Sequence, residues 1–184
     1  MRVRRLVCLS LSVIAFSALP AAAQDKKVGV TMAYPAAIGL LWRASDNVAV
    51  RPEFNFAGSS GESGGTFDVE SDSWAVGTGV SVLFYLKKYD RLQTYFTPRF
   101  SYTHSSTSSD IDGPVTNPEG HSSSNTYGFA GLFGAEQSIG DRFAVFGEVG
   151  FGFTHSKAKS NVTSSTPTSR NWGTRAGVGI VFFP

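Results

Sequence analysis

The chain has 184 residues with 16 basic and 14 acidic side chains, three His, a single Cys and a formal net charge of +2. That length suits one domain. The near balance of charge excludes a nucleic-acid footprint, and one Cys excludes a disulfide framework.

Arg2, Arg4 and Arg5 precede an apolar run over residues 6–19, and Ala21, Ala22 and Ala23 follow it. This pattern predicts a secretory signal peptide, residues 1–23, cut before Gln24. The apolar run is too short and too broken by serine to anchor in a bilayer. Cys8 lies within it, so the domain over residues 24–184 has no thiol. Removing the leader takes away three Arg and no acid, leaving 13 basic against 14 acidic residues and a net charge of −1. No later run of 18 apolar residues predicts a transmembrane helix. Mean hydropathy is −0.04.

From Val28 onward apolar residues recur with period two, the spacing of one strand face. In chain order the apolar faces are Val28, Val30, Met32 and Tyr34; Ile38, Leu40 and Trp42; then Val48, Val50, Pro52, Phe54 and Phe56. Next come Trp74, Val76, Thr78, Val80, Val82, Phe84 and Leu86, followed by Thr94, Phe96, Pro98, Phe100 and Tyr102. The last three are Tyr127, Phe129, Gly131 and Phe133; Phe143, Val145, Gly147, Val149, Phe151 and Phe153; and Trp172, Thr174, Ala176, Val178, Ile180 and Phe182. Eight such segments fit an even-numbered, closed antiparallel barrel.

The connections alternate in kind. Ser45-Asp46-Asn47, the segment from Lys87 to Arg91, and Ile139-Gly140-Asp141 read as short turns. Residues 58–71, 105–124 and 156–171 read as long loops of Ser, Thr, Gly and Asn, and the connection at Pro35-Ala36-Ala37 belongs to the same end although it is short. Segments starting at Val50, Phe96 and Val145 align without gaps, the repeat that closed hairpin architectures need. Pro52 and Pro98 share one repeat position mid-strand. A proline there removes a ladder hydrogen bond, which predicts a bulge or a local break.

The opposite face carries Gly77, Gly79, Ser81, Gly128, Ala130, Gly134, Gly150, Gly152, Gly177 and Gly179. Glycine has no solubilising role on an exposed strand face. Small side chains suit the interior of an eight-stranded barrel, which is barely wide enough for side chains. The apolar face is therefore expected to point outward, as lipid would require. Tyr34, Trp42, Trp74, Phe84, Tyr102, Tyr127, Phe143, Trp172 and Phe182 then form an aromatic girdle. The same choice places Arg43, Arg51, Glu53, Arg99, Glu136, Glu148 and Arg175 in the lumen. Glu53, Arg99 and Glu148 occupy one repeat position and so similar heights, and Arg175 is expected to find Glu136 or Glu148. So narrow a lumen favours a plug of ion pairs over a selectivity ring.

With a leader, eight alternating strands, turn asymmetry, charged lumen and aromatic-rich end, the domain resembles the small outer-membrane β-barrel superfamily that includes the OmpA transmembrane domain and OmpX. The closing stretch Gly177-Val-Gly-Ile-Val-Phe-Phe183 is similar to the terminal signal that family presents to the barrel-assembly machinery, with Gly179, Ile180, Phe182 and Phe183 as its core; Pro184 follows it. The resemblance implies an all-β, up-and-down transmembrane barrel in a bacterial outer membrane. It also implies lipid and lipopolysaccharide as surroundings and a monomeric state. The architecture does not transfer one activity.

Catalytic patterns are weak. His104-Ser105 and His155-Ser156 recur in one register, and neighbouring strand residues point to opposite faces, so neither pair reads as a dyad. Asp110 and Asp112 lack the remaining ligands of a calcium loop. Asn161-Val-Thr163 matches a glycosylation sequon, and His121 stands in a Ser-rich stretch without partner ligands. No catalytic set, metal or cofactor is expected. The expected role is structural or surface-interacting, with the polar loops, poor in aromatics apart from Phe67, as the place for a surface ligand. A narrow ion or small-solute pore is the alternative, and a lipid A-modifying enzyme ranks below both.

Overall fold

The computed structural model describes residues 27–35, 37–63, 68–112, 120–161 and 166–184. The expected signal peptide and Phe67 lie outside them. Eight antiparallel strands follow in chain order: β1 (Val28–Tyr34), β2 (Ala37–Ser45), β3 (Val48–Ser63), β4 (Asp68–Tyr89), β5 (Leu92–Asp112), β6 (Gly120–Ser138), β7 (Phe143–Ser160) and β8 (Thr168–Phe182). Each pairs with its chain neighbours, and β8 pairs with β1 to close a barrel. Among the described residues no helix is long and apolar enough to cross a membrane.

The stagger of the barrel follows from one row of partners. Thr31 pairs with Gly39, and the row runs through Glu53, Gly79, Ser101, Gly128 and Thr154 to Asn171. Asn171 lies ten residues along β8 from Val181, the residue that pairs with Thr31 on its other side. A stagger of that size over eight strands tilts them by about 40° to the axis.

Short turns close one end. Asp46 and Asn47 join β2 to β3, Asp90 and Arg91 join β4 to β5, and Gly140 sits between β6 and β7 at φ +86°. That left-handed conformation is open to Gly at little cost.

The far end differs from the sequence expectation. Residues 58–71, 105–124 and 156–171, expected as loops, are largely strand. The β3–β4 ladder continues to Ser63 opposite Val69, β5–β6 to Ser109 opposite Gly120, and β6–β7 to Ser122 opposite Ser160. The cause is that ladder hydrogen bonds need no apolar side chain. Where both faces of a strand meet water, Ser and Thr replace the alternation while the backbone pairing continues.

The two mid-strand prolines break the ladder without bulging it. Pro52 keeps its partner Val80 on β4, and Pro98 keeps Gly131 on β6. Neither Pro52 nor Arg51 has a partner in the β2–β3 register, and neither Pro98 nor Thr97 has one in the β4–β5 register. Each proline thus loses pairing toward one neighbour, the side on which its missing N–H would have donated. The register shifts fall elsewhere, between Arg43 and Ser45 and between Tyr85 and Lys87, both beside short turns.

The core lies inside the barrel. Leu41, Ala49, Leu83, Tyr95, Ala144, Phe146, Val181 and Phe183 are buried together toward the turn end. The large apolar side chains of the other face point out and are exposed, among them Phe54, Phe129, Phe133, Phe151 and Trp172.

Candidate functional site in the lumen

Seven charged side chains project from the face opposite the outward aromatics, because on each strand they sit an odd number of positions from them. Their arrangement falls into three parts. Nearest the short turns, Arg43 Nη2 donates to Glu136 Oε1 at 2.6 Å. The Tyr85 hydroxyl donates to the other oxygen, Glu136 Oε2, at 3.3 Å. The Arg43 guanidinium also lies 5.1 Å from the ring centre of Phe183 and 5.8 Å from that of Tyr85.

Above the apolar cluster, four charges close on one another. Arg51 Nη2 meets Glu148 Oε1 at 2.6 Å, and Arg99 Nη2 meets Glu148 Oε2 at 2.5 Å. Glu53 bridges the same two arginines, with Oε1 3.3 Å from Arg51 Nε and Oε2 3.3 Å from Arg99 Nε. The Arg51 Nε approach lacks hydrogen-bond geometry, so that N–H contributes attraction without a bond. Tyr95 donates its hydroxyl to Glu148 Oε1 at 2.9 Å. Ser81 accepts from Arg99 Nε at 2.8 Å and donates to Glu53 Oε2 at 3.2 Å. Arg51 lies over the Phe146 ring at 4.6 Å. Two arginines and two glutamates cancel, and the side chains of Arg51 and Glu148 are each only 1% exposed. Each guanidinium spans both carboxylates through separate nitrogens, and such charge-assisted contacts are what satisfy these charges away from water.

Arg175 stands apart. It pairs by register with Gly150 and lies on the open upper part of the lumen. It does not reach Glu136 or Glu148, the partners expected for it; those carboxylates are taken by Arg43 and by Arg51 and Arg99. Among the described residues it has no ion-pair partner. Its side chain runs along the wall over Gly152, where an added Cβ would come within 3.0 Å of Arg175 Cγ. The seven charges comprise four arginines and three glutamates, so the excess positive charge of the lumen sits at Arg175.

Several lumen residues were not singled out in the sequence: Tyr85, Tyr95, Leu41, Leu83 and Phe146. The available signal was parity. Ser81, Leu83 and Tyr85 alternate with the outward Val82, Phe84 and Leu86, which places them inside without any further information.

The girdle residues point outward at two levels. Trp42, Phe84, Phe143 and Phe182 lie toward the turn end, and Trp74, Tyr102, Tyr127 and Trp172 toward the other. From Phe182 to Trp172 a strand covers about 33 Å, or about 25 Å along the axis at a tilt of about 40°. Cross-strand aromatic pairs join neighbouring strands in the upper part of the belt, with ring centres 5.0 Å apart for Phe100 and Phe129, 5.2 Å for Tyr102 and Tyr127, and 4.6 Å for Phe153 and Trp172. Tyr34 belongs to neither level. It ends β1 opposite Val178, six residues down β8 from Trp172.

The closing stretch divides by parity. Ile180 and Phe182 point out, while Phe183 is buried beneath Arg43. Gly179 lies against the Phe146 ring and Met32 O, where a Cβ would come within 2.6 Å of that backbone oxygen. His104 points outward, with Nδ1 2.8 Å from Asn125 Oδ1 and its ring 5.4 Å from Trp74. His121 Nδ1 lies 3.0 Å from Ser108 Oγ. Among the described residues no group of three His, Cys, Asp or Glu could hold a metal ion.

No protein-family model and no curated protein matches the chain. Solved structures resemble it in outline. A major outer membrane protein from Thermus thermophilus is 14% identical, with TM-score 0.49, over 85% of this chain and 98% of its own. CarO2 from Acinetobacter baumannii is 13% identical, with TM-score 0.44, over 86% and 97%. Ail, the attachment invasion locus protein of Yersinia pestis, is 10% identical, with TM-score 0.39, over 84% and 93%.

Proposed function

We propose that the chain is an integral outer-membrane β-barrel with a structural or surface-interaction role, its lumen closed by ion pairs and apolar side chains. One observation carries this reading: the barrel is inverted relative to a soluble protein. Trp172 is 80% exposed and Phe151 72%, while Arg51 is 1% exposed. A continuous outward belt of Phe, Trp, Val and Ile far exceeds the apolar patches that soluble monomers expose. Its height of about 25 Å between aromatic levels matches the apolar band of outer-membrane barrels. The expected secretory leader and the resemblance to the OmpA and OmpX superfamily support the same address. Lipid and lipopolysaccharide would surround the belt, and the barrel-assembly machinery would read the end around Gly179, Ile180, Phe182 and Phe183. The paired polar strands beyond the upper aromatics would carry any surface ligand. The barrel closes within one chain, which supports a monomer.

The test is biochemical. The expressed protein should fractionate with outer membranes, require detergent for extraction, and migrate differently on gels before and after boiling. A chain that stays in solution without detergent would overturn the proposal.

A further inference from the structure

The barrel wall is not equally tall all round. β1 and β2 form a short hairpin that ends at Tyr34 and Pro35, while β3 and β8 on either side continue upward. Residues 168–177 of β8 have no partner on β1, and residues 55–63 of β3 have none on β2. Above the hairpin the wall therefore has a notch between β3 and β8. Three strand spacings separate those two backbones, about 14 Å. The notch begins at the level of Val178, about 20 Å of strand below Trp172. It thus opens below the upper aromatic level, within the apolar belt.

Inside the notch is a cavity of about 400 Å³ in the upper lumen, a size that suits a small ligand. Its lining passes through the wall: Tyr34, Phe54 and Ala176 face outward yet border it, together with the inward Asn55, Arg175 and Gly177. Exposed strand edges are not tolerated against hydrocarbon, so the notch needs polar company from the cavity side. The cavity also has an uncompensated charge. Glu53 and Glu148 border it but are bound to Arg51 and Arg99. Arg175, on the open edge of β8, is the one lumen arginine without a carboxylate among the described residues.

We infer that the notch is a lateral portal for a single-chain anionic amphiphile, whose head group enters the upper cavity and is held by Arg175 while its chain leaves between Tyr34, Phe56 and Trp172. The chemistry is that of a fatty carboxylate: a planar anion for a guanidinium fork, and a flexible apolar tail for an aromatic-lined slot. The inference rests on the membrane reading above.

The test uses the barrel in phosphatidylcholine nanodiscs with Trp42→Phe and Trp74→Phe, leaving Trp172 as the reporter. Terminally brominated dodecanoate should quench Trp172 saturably, at one ligand per barrel. Arg175→Ala should weaken this about tenfold or more, the loss of one charge-assisted contact. Ala176→Phe, which fills the notch, adds no second tryptophan and leaves Arg175 in place, should abolish it. Equal saturable quenching by brominated dodecanol, or by the Arg175→Ala barrel, would overturn the anionic site. A barrel that enters nanodiscs but is quenched only in proportion to bilayer loading would overturn the portal and leave the membrane reading standing. A chain that does not enter nanodiscs would overturn both.

Discussion

Glu148 accepts from three donors, Arg51, Arg99 and the Tyr95 hydroxyl, and its side chain is almost wholly enclosed. Removing it leaves two guanidinium groups without their shortest contacts, and one of them, on Arg51, has no route to water. Breaking such a pair costs about 3–5 kcal/mol. Arg175 is the internal comparison, an arginine of the same lumen that is exposed and holds no carboxylate. Urea unfolding of the refolded barrel, followed by tryptophan emission, should show Glu148→Ala destabilised by about that amount. Arg175→Ala should stay within about 0.5 kcal/mol of the parent. Similar shifts for the two variants would refute the central network as a stabilising element. Parity alone placed these side chains on the inner face. The pairing was not legible, because a partner depends on register and on the height of each Cβ. The same gap explains why Arg175 was expected beside Glu136 or Glu148, when register sets it opposite Gly150.

Strand length is where sequence and structure part most clearly. The apolar alternation of β5 ends at Tyr102, yet its ladder continues to Asp112 opposite Asp68. Hydropathy records the environment of a strand face and therefore goes silent where both faces meet water. Backbone pairing leaves no such mark, apart from the Ser and Thr that tolerate it. Prolines were legible as ladder defects, since a missing N–H is a property of the residue itself. Their placement without a bulge depended on the neighbouring strand. The shortness of the β1–β2 hairpin was visible in the spacing of Tyr34, Pro35 and Ala37, but its meaning as a notch required the lengths of β3 and β8. Hydrogen exchange distinguishes strand from loop directly. Amides of Ser105, Ser106, Thr107 and Ser108, paired with β4 and β6 on either side, should be protected well beyond coil rates. Exchange at coil rates would return these residues to the loop first expected.

At the scale of the whole barrel the question is whether anything passes through it. The upper lumen is open, with the cavity beside Arg175, and openness there is the observation that favours a pore. The lower lumen argues against one. Between the Arg43–Glu136 pair and the four-charge group lie Leu41, Leu83, Tyr95, Phe146 and Val181, each no more than 5% exposed. An ion descending past Arg99 would meet a layer made mainly of apolar side chains, with the small hydroxyl of Thr31 beside Val181. An isolated charge is costly in such surroundings. Eight strands leave no width for water to accompany it. Planar bilayers with the purified barrel should therefore show no steady openings. Thinning the layer should change this, so Leu83→Ala combined with Phe146→Ala should admit small, brief currents while the charged groups remain. Steady openings in the parent barrel whose size changes with Arg99→Gln or Glu148→Gln would refute closure and make those charges the lining of a pore.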